Sequence, residues 1–149
     1  MEFLRNTLAV VVGLFVSVMV ISLGIRLNAD WVTFTNFTPF QNWETFLEKR
    51  QNDAEFYWIL LLLSGISATI GGVISAMIVR YAKVAYALLI GFILLFLAML
   101  DIIIFPYHPT FYKIGIFLTF FPFSWVGGKI VSVIYDKNKK NKLAIFKKI

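Results

Sequence analysis

The sequence contains no cysteine and a single histidine, His108, and these two shortages exclude several classes of site. Without thiols the chain has no disulfide, no thiolate nucleophile and no cysteine ligand for a metal. One histidine is too few for a protein zinc site, in which several nitrogen or sulfur atoms normally share the ion. We therefore expect neither a resident metal nor a cofactor.

Charged residues are also scarce. They make up 15% of the chain, whereas hydrophobic residues make up 60% and the mean hydropathy is +0.82. Soluble domains carry about 25% charged residues. A soluble domain of 149 residues could not hide so much apolar surface. The composition predicts an all-α polytopic membrane protein, with residues 1–149 forming a single membrane domain in the lipid bilayer.

Long apolar segments predict four transmembrane helices, because about 20 apolar residues cross the ~30 Å hydrocarbon core. A signal peptide is the alternative for the first segment, but its apolar run is longer than a usual signal core, so we interpret it as an uncleaved anchor. The remaining parts are an outer loop and a basic tail. The spans are at about 7–25, 56–79, 84–105 and 109–135, the loop at 26–55 and the tail at 136–149.

The distribution of Lys and Arg predicts the orientation. Ten of the fourteen lie at the termini or in the turn between spans two and three, and four lie on the other side. Positive charge stays cytoplasmic, so both termini are expected in the cytoplasm of a bacterial cell with this chain in its inner membrane. The Lys-rich tail is expected to contact anionic lipid headgroups. Docking of a cytoplasmic partner is the alternative, and nucleic acid is not an expected partner because no reader module is visible.

The outer loop contains the signals of a short helix. Thr38 is a suitable N-cap, Pro39 suits the first helical position and Gln41 follows three residues after the cap. Residues 31–37 are rich in Thr and Val and are predicted to be extended. The helix has Trp and Phe on one side and Glu on the other, which is typical of an amphipathic helix in the membrane interface. A lid over a substrate is the alternative.

Small residues recur at four-residue spacing in spans two and four. In lipid such residues let helix backbones approach closely, so we expect these two spans to pack together. A substrate path along the hydroxyl groups of span two is the alternative. Pro122 interrupts span four and predicts a kink that could act as a hinge. The expected helix-packing residues are Ser64, Ala68, Gly71, Gly72, Ala76, Ser124, Gly127, Gly128 and Ser132.

Asp101 is the strongest candidate for chemistry. It lies five residues before Pro106, roughly 7 Å below the outer boundary at 1.5 Å per residue. One interpretation is a boundary carboxylate bonded to His108 or Lys113. The other is a proton or cation site, with Asp101 as acceptor and His108 as relay. Taken alone, His108 is also a candidate N-cap of span four.

The segment 106–129 resembles small bacterial four-span inner-membrane proteins of unassigned function. These have Gly-Gly in the second span, a Pro-His-Pro-aromatic turn, and an internal Pro and Gly-Gly in the fourth. In this chain Tyr107 is inserted in the turn, Phe111 replaces an expected Trp, and Asp101 replaces a neutral polar residue. The matching residues are Gly71, Gly72, Pro106, His108, Pro109, Phe111, Pro122, Gly127 and Gly128.

The sequence contains no nucleophile beside a base, no paired carboxylates and no phosphate-binding loop, so no catalytic residues and no enzyme are predicted. We expect a non-enzymatic membrane protein that acts through contacts between its helices and a second copy or another membrane protein. The alternative is a small transporter or channel component that uses Asp101.

Overall fold

The computed structural model describes residues 2–28 and 39–146, with side chains described for 2–25 and 43–140. The regular secondary structure in these ranges is entirely helical, which confirms the all-α prediction. The helices are α1 (Glu2–Asn28), α2 (Pro39–Arg50), α3 (Ala54–Ile78), α4 (Lys83–Ile104) and α5 (Thr110–Phe146).

Four of these helices are long and apolar enough to cross a membrane. They extend beyond the predicted spans mainly at the two ends of the chain, where α1 begins at Glu2 and α5 continues to Phe146. Glu, Arg and Lys are good helix formers, so the backbone hydrogen bonds continue where the apolar composition ends. The basic tail is therefore largely a continuation of α5. The candidate spans are Glu2–Ile25, Ala54–Ile78, Lys83–Ile104 and Thr110–Lys140.

Local sequence signals determine several helix ends. α2 begins at Pro39, as predicted. Residues 31–37, which were expected to be extended, lie outside the described residues. Asp53 is the N-cap of α3, and its Oδ1 accepts a hydrogen bond of 3.1 Å from the backbone N–H of Phe56. α5 continues through Pro122 without a break in its helical assignment, and the hinge at that position stays a prediction.

α3 is the central helix of the bundle, since it packs against α1, α4 and α5. Half of its most apolar stretch is buried, compared with 22–33% in the other three spanning helices. Large apolar side chains such as Phe15, Phe92 and Phe96 are exposed on the outside of the bundle. Lipid can cover such a surface without cost, whereas water cannot.

α1 and α3 approach closely at two small residues on each helix. A Cβ atom added to Gly71 would meet Ser17 Oγ and would lie 2.8 Å from the carbonyl oxygen of Gly13. Just beside this point, Ser67 Oγ donates to the Ser17 carbonyl at 2.8 Å, and the single hydrogen of Ser17 Oγ is shared between the carbonyls of Gly13 at 2.9 Å and Ser67 at 3.2 Å. The reciprocal pair satisfies two buried hydroxyls and ties the two helices together.

The small residues of α5 face two different helices. Gly72 of α3 lies against Ser124, whose carbonyl oxygen would be 3.0 Å from an added Cβ, and Gly127 lies against the Thr69 carbonyl. Gly128 faces α4 instead, with the Cα of Val84 3.0 Å from an added Cβ. Among the other expected packing residues, Ser64, Ala68 and Ala76 are buried and Ser132 is half-buried.

Candidate functional site

Polar and aromatic side chains from four helices and one turn meet near the 105–109 turn, which joins α4 to α5. We call this group the Asp101 cluster. Trp43 comes from α2, Tyr57 from the first turn of α3, Asp101 from the last turn of α4, His108 from the turn and Tyr112 from the start of α5. Three separate stretches of chain, on α2, on α3 and at 101–112, must therefore be in place before the cluster exists.

Both carboxylate oxygens of Asp101 have a nitrogen neighbour. Trp43 Nε1 donates to Oδ1 at 2.7 Å, and His108 Nε2 lies 3.0 Å from Oδ2. The side chain of Asp101 is 30% exposed, whereas that of His108 is fully buried. A negative charge near a helix C-terminus is opposed by the helix dipole, so these two neighbours offset an otherwise unfavourable position.

The two ring nitrogens of His108 have different neighbours. Its Nδ1 lies 2.8 Å from the Phe105 carbonyl oxygen, which can only accept, so Nδ1 carries a hydrogen. Nε2 lies 3.0 Å from Oδ2 of Asp101 but makes no well-aligned hydrogen bond to it. The contact is an ion pair only when the imidazole is protonated.

Two tyrosines hold the imidazole ring in position. Tyr112 stacks on His108 with ring centroids 5.2 Å apart and an interplanar angle of 20°. Tyr57 meets the same ring edge-on at 5.7 Å, and its hydroxyl donates to the Tyr107 carbonyl at 3.2 Å. The ring thus has aromatic neighbours on two sides, and this packing keeps Nε2 facing Asp101.

Aromatic contacts hold α2 over the cluster. Trp43 stacks on Phe46 at 5.6 Å, and Phe46 meets Phe56 of α3 edge-on at 5.3 Å. The Arg50 guanidinium lies 5.4 Å and 5.3 Å from the centres of these two phenylalanine rings and pairs with Asp53 at 3.1 Å. Cation–π contacts at exposed sites are worth about 0.5–1 kcal/mol each. α2 is therefore held by several weak contacts and by two hydrogen bonds to carboxylates, from Trp43 to Asp101 and from Arg50 to Asp53.

The turn beneath α2 contains a further titrating group. Burial and the carboxylates of Glu44 and Glu48, together with a hydrogen bond to Glu44, raise the pKa of Tyr107 above its ordinary value. Nearby carboxylates disfavour the phenolate because the like charges repel. Tyr107 therefore remains a neutral donor toward α2 under ordinary conditions.

The core next to the cluster is apolar. Buried Leu60, Leu94, Ile116 and Phe120 belong to the hydrophobic core that also contains Tyr57 and Tyr112. The hydroxyls considered for a substrate path mostly bond to backbone carbonyls, as Ser64 does to Leu60 at 2.8 Å. Ser75 is different, because its buried Oγ has no hydrogen-bond partner among the described residues.

Asp101 lies beside His108, one of the two partners expected for it, and Lys113 takes no part in the pair. The interpretation of His108 as an N-cap is wrong, because its ring bonds to the Phe105 carbonyl and lies against Asp101 instead of bonding to an N–H of α5. Trp43, Tyr57 and Tyr112 were not predicted as members of the cluster. Tyr112 follows His108 by four residues, which is one helical turn, and this spacing was the available signal.

Within the described ranges, no group of three His, Asp or Glu side chains could hold a metal.

Comparison of the chain with family models, curated proteins and solved structures finds no match.

Proposed function

We propose that this protein is a non-enzymatic, multi-pass protein of a bacterial inner membrane, with both termini in the cytoplasm, that acts by contacting a second copy or another membrane protein. The observation that supports a non-catalytic role is the use of its hydroxyl groups. Among the described residues, the hydroxyls that donate to backbone carbonyls are those of Thr7, Ser17, Tyr57, Ser64, Ser67, Thr69, Thr119 and Ser124.

Hydroxyls used in this way stabilise the fold and are poorly available to a substrate. The glycines and small residues of α3 and α5 are also used inside the bundle, so they do not supply a surface for a partner. All four spanning helices carry exposed apolar side chains, and the face that we propose for contacts is the outer face of α1, where Leu8 and Val11 are each 57% exposed and Phe15 is 64% exposed.

The test is chemical cross-linking in intact membranes followed by purification in mild detergent. A cross-linked dimer or a stoichiometric companion is expected for the wild type and for Phe92→Ala on the outside of α4. Val11→Trp on the outer face of α1 is expected to lose it. A wild-type chain that stays monomeric and uncross-linked would contradict the proposal.

A second candidate function is a proton-dependent membrane protein, and the 3.0 Å contact between the part-exposed Asp101 and the buried His108 favours it. A proton suits the site better than a metal cation does, because both carboxylate oxygens already face a nitrogen at 3.0 Å or less. The apolar core beside the cluster favours a site open on one side of the membrane.

Proteoliposomes containing a pH-sensitive dye distinguish the two candidates. Proton flux that disappears in Asp101→Asn, but not in the control Asp136→Asn on the exposed part of α5, would favour the second. The first predicts no flux above that of empty vesicles and an unchanged cross-linking pattern in Asp101→Asn.

A further inference from the structure

A basic cleft lies at the end of the bundle opposite the Asp101 cluster. It has a volume of about 570 Å³ and lies between the 79–82 turn, the start of α4 and the last third of α5. Three cationic side chains and one carboxylate line it, so its net charge is positive. The lining residues used below are Arg80, Tyr81, Lys83, Tyr135, Asp136 and Lys139.

Lys83 is fixed at the centre of this cleft. Its Nζ donates to the carbonyls of Ala76 at 2.9 Å and Val79 at 2.7 Å, and lies 4.7 Å from the centre of the Tyr135 ring. The two carbonyls belong to the C-terminal end of α3, where a cation is favoured. An ammonium group has three N–H donors, so one remains for a ligand.

The other two cationic side chains of the cleft have no carboxylate partner among the described residues. Arg80 and Lys139 are exposed, and neither forms an ion pair with any carboxylate in the part of the chain that the structure describes. Among the described residues that line the cleft, Asp136 is the only acidic one. The cleft therefore presents an unbalanced positive charge and the planar donor group of an arginine, which matches a phosphate.

An apolar groove of about 510 Å³ continues from the basic cleft and shares Arg80, Lys83 and Tyr135 with it. It runs between α3 and α5, and its remaining walls are mostly apolar. Its apolar lining includes Val73, Met77, Ile78, Ile130, Val131 and Ile134. A free phosphate would leave this apolar groove unfilled, whereas the acyl chain of a lipid could occupy it.

We propose that the basic cleft and the apolar groove together bind one anionic glycerophospholipid. The headgroup phosphate lies against Arg80, Lys83 and Lys139, and one acyl chain occupies the groove between α3 and α5. Basic pockets between transmembrane helices are suited to anionic headgroups. This is a single defined site, distinct from the diffuse attraction of the lysines farther along the tail.

Native mass spectrometry of the detergent-solubilised protein tests the site, with phosphatidylglycerol as the probe and phosphatidylcholine as the neutral comparison. The test variant is Arg80→Gln with Lys139→Gln. The matched control, Lys137→Gln with Lys140→Gln, removes the same charge from exposed positions of α5 outside the cleft. At about 1 kcal/mol per cation, the test variant should bind phosphatidylglycerol at least tenfold more weakly, and the control less than threefold more weakly.

Equal losses in the two double variants would overturn the proposal, because they would indicate diffuse attraction. No preference of the wild type for phosphatidylglycerol over phosphatidylcholine would also overturn it. Competition by millimolar inorganic phosphate would identify a soluble anion as the ligand instead of a lipid. The single variant Arg80→Gln changes an exposed turn position and is measured as well. If the double variant does not fold, the single variant still tests whether the cleft binds phosphatidylglycerol. Binding in micelles is independent of which side of the membrane the cleft faces.

Discussion

Replacing Gly71 by alanine is the sharpest test of how the bundle is packed. The new methyl group would meet Ser17 Oγ and lie 2.8 Å from the Gly13 carbonyl oxygen, which is closer than real Cβ atoms come to a neighbour. The Gly13 oxygen is backbone, so relief requires α1 to move away from α3. That movement would also weaken the reciprocal hydrogen bonds between Ser17 and Ser67.

The magnitude follows from two opposing effects. Overpacking a tight interface costs typically 1–3 kcal/mol, and each weakened hydrogen bond about 0.5–1.5 kcal/mol. Alanine is a better helix former than glycine by about 1 kcal/mol, which offsets part of the loss. We therefore expect Gly71→Ala to lower the free energy of unfolding by about 1–5 kcal/mol.

Gly115→Ala is the matched control. The methyl group there would lie 3.0 Å from Leu61 Cδ2 and 3.2 Å from Cδ1, the flexible end of a side chain that can turn aside. The helix-propensity gain should then dominate, with a change between zero and about 1 kcal/mol of added stability. SDS titration of the purified protein in mixed micelles, followed by circular dichroism, measures both variants. Equal effects of the two substitutions would refute the close approach of α1 and α3.

Three further predictions concern the turns and α2. Trp43→Phe removes the N–H that is donated to Asp101. Losing this part-exposed hydrogen bond should cost about 1 kcal/mol, so amide hydrogen exchange in α2 should become about fivefold faster. Unchanged exchange would contradict the role of this bond. Ala82 has a φ of 52°, a left-handed backbone conformation that favours glycine. Ala82→Gly should therefore stabilise the protein by about 1 kcal/mol in the same SDS titration. A loss of stability would argue against that backbone conformation. Because the pKa of Tyr107 is raised in the folded protein, its contribution to stability is complete below the ordinary value of 10.0 and is lost as the pH rises through the folded-state pKa. Glu44→Gln should move that pKa down toward the ordinary value, as measured by ultraviolet titration against Tyr107→Phe, and an upward shift would be inconsistent with repulsion by Glu44.

The four spanning helices could be predicted from the sequence because length and apolar composition are sufficient to recognise them. Pro39 and Asp53 likewise carry local signals that mark the starts of α2 and α3. The pairing of helices was harder to predict. Gly13 and Ser17 of α1 have the same four-residue spacing as Ser67 and Gly71 of α3, but spacing alone does not say which stripe meets which.

The Asp101 cluster was only half predictable for a related reason. Asp101 and His108 are close in sequence across a short turn, so their proximity follows from the chain. Trp43 is 58 residues away from Asp101 and reaches it only because α2 folds back over the bundle. Nothing in the local sequence of Trp43 specifies that contact, since it depends on the packing of Phe46 against α3.

The most direct measurement of the central claim uses the absence of cysteine in the natural sequence, because each introduced cysteine is then the only thiol. Lys137→Cys on α5 and Glu48→Cys on α2 both lie at exposed positions. With four spans and both termini in the cytoplasm, a membrane-impermeant maleimide should label Glu48→Cys in intact cells and Lys137→Cys only after permeabilisation. Labelling of Lys137→Cys in intact cells, or protection of Glu48→Cys, would contradict this topology.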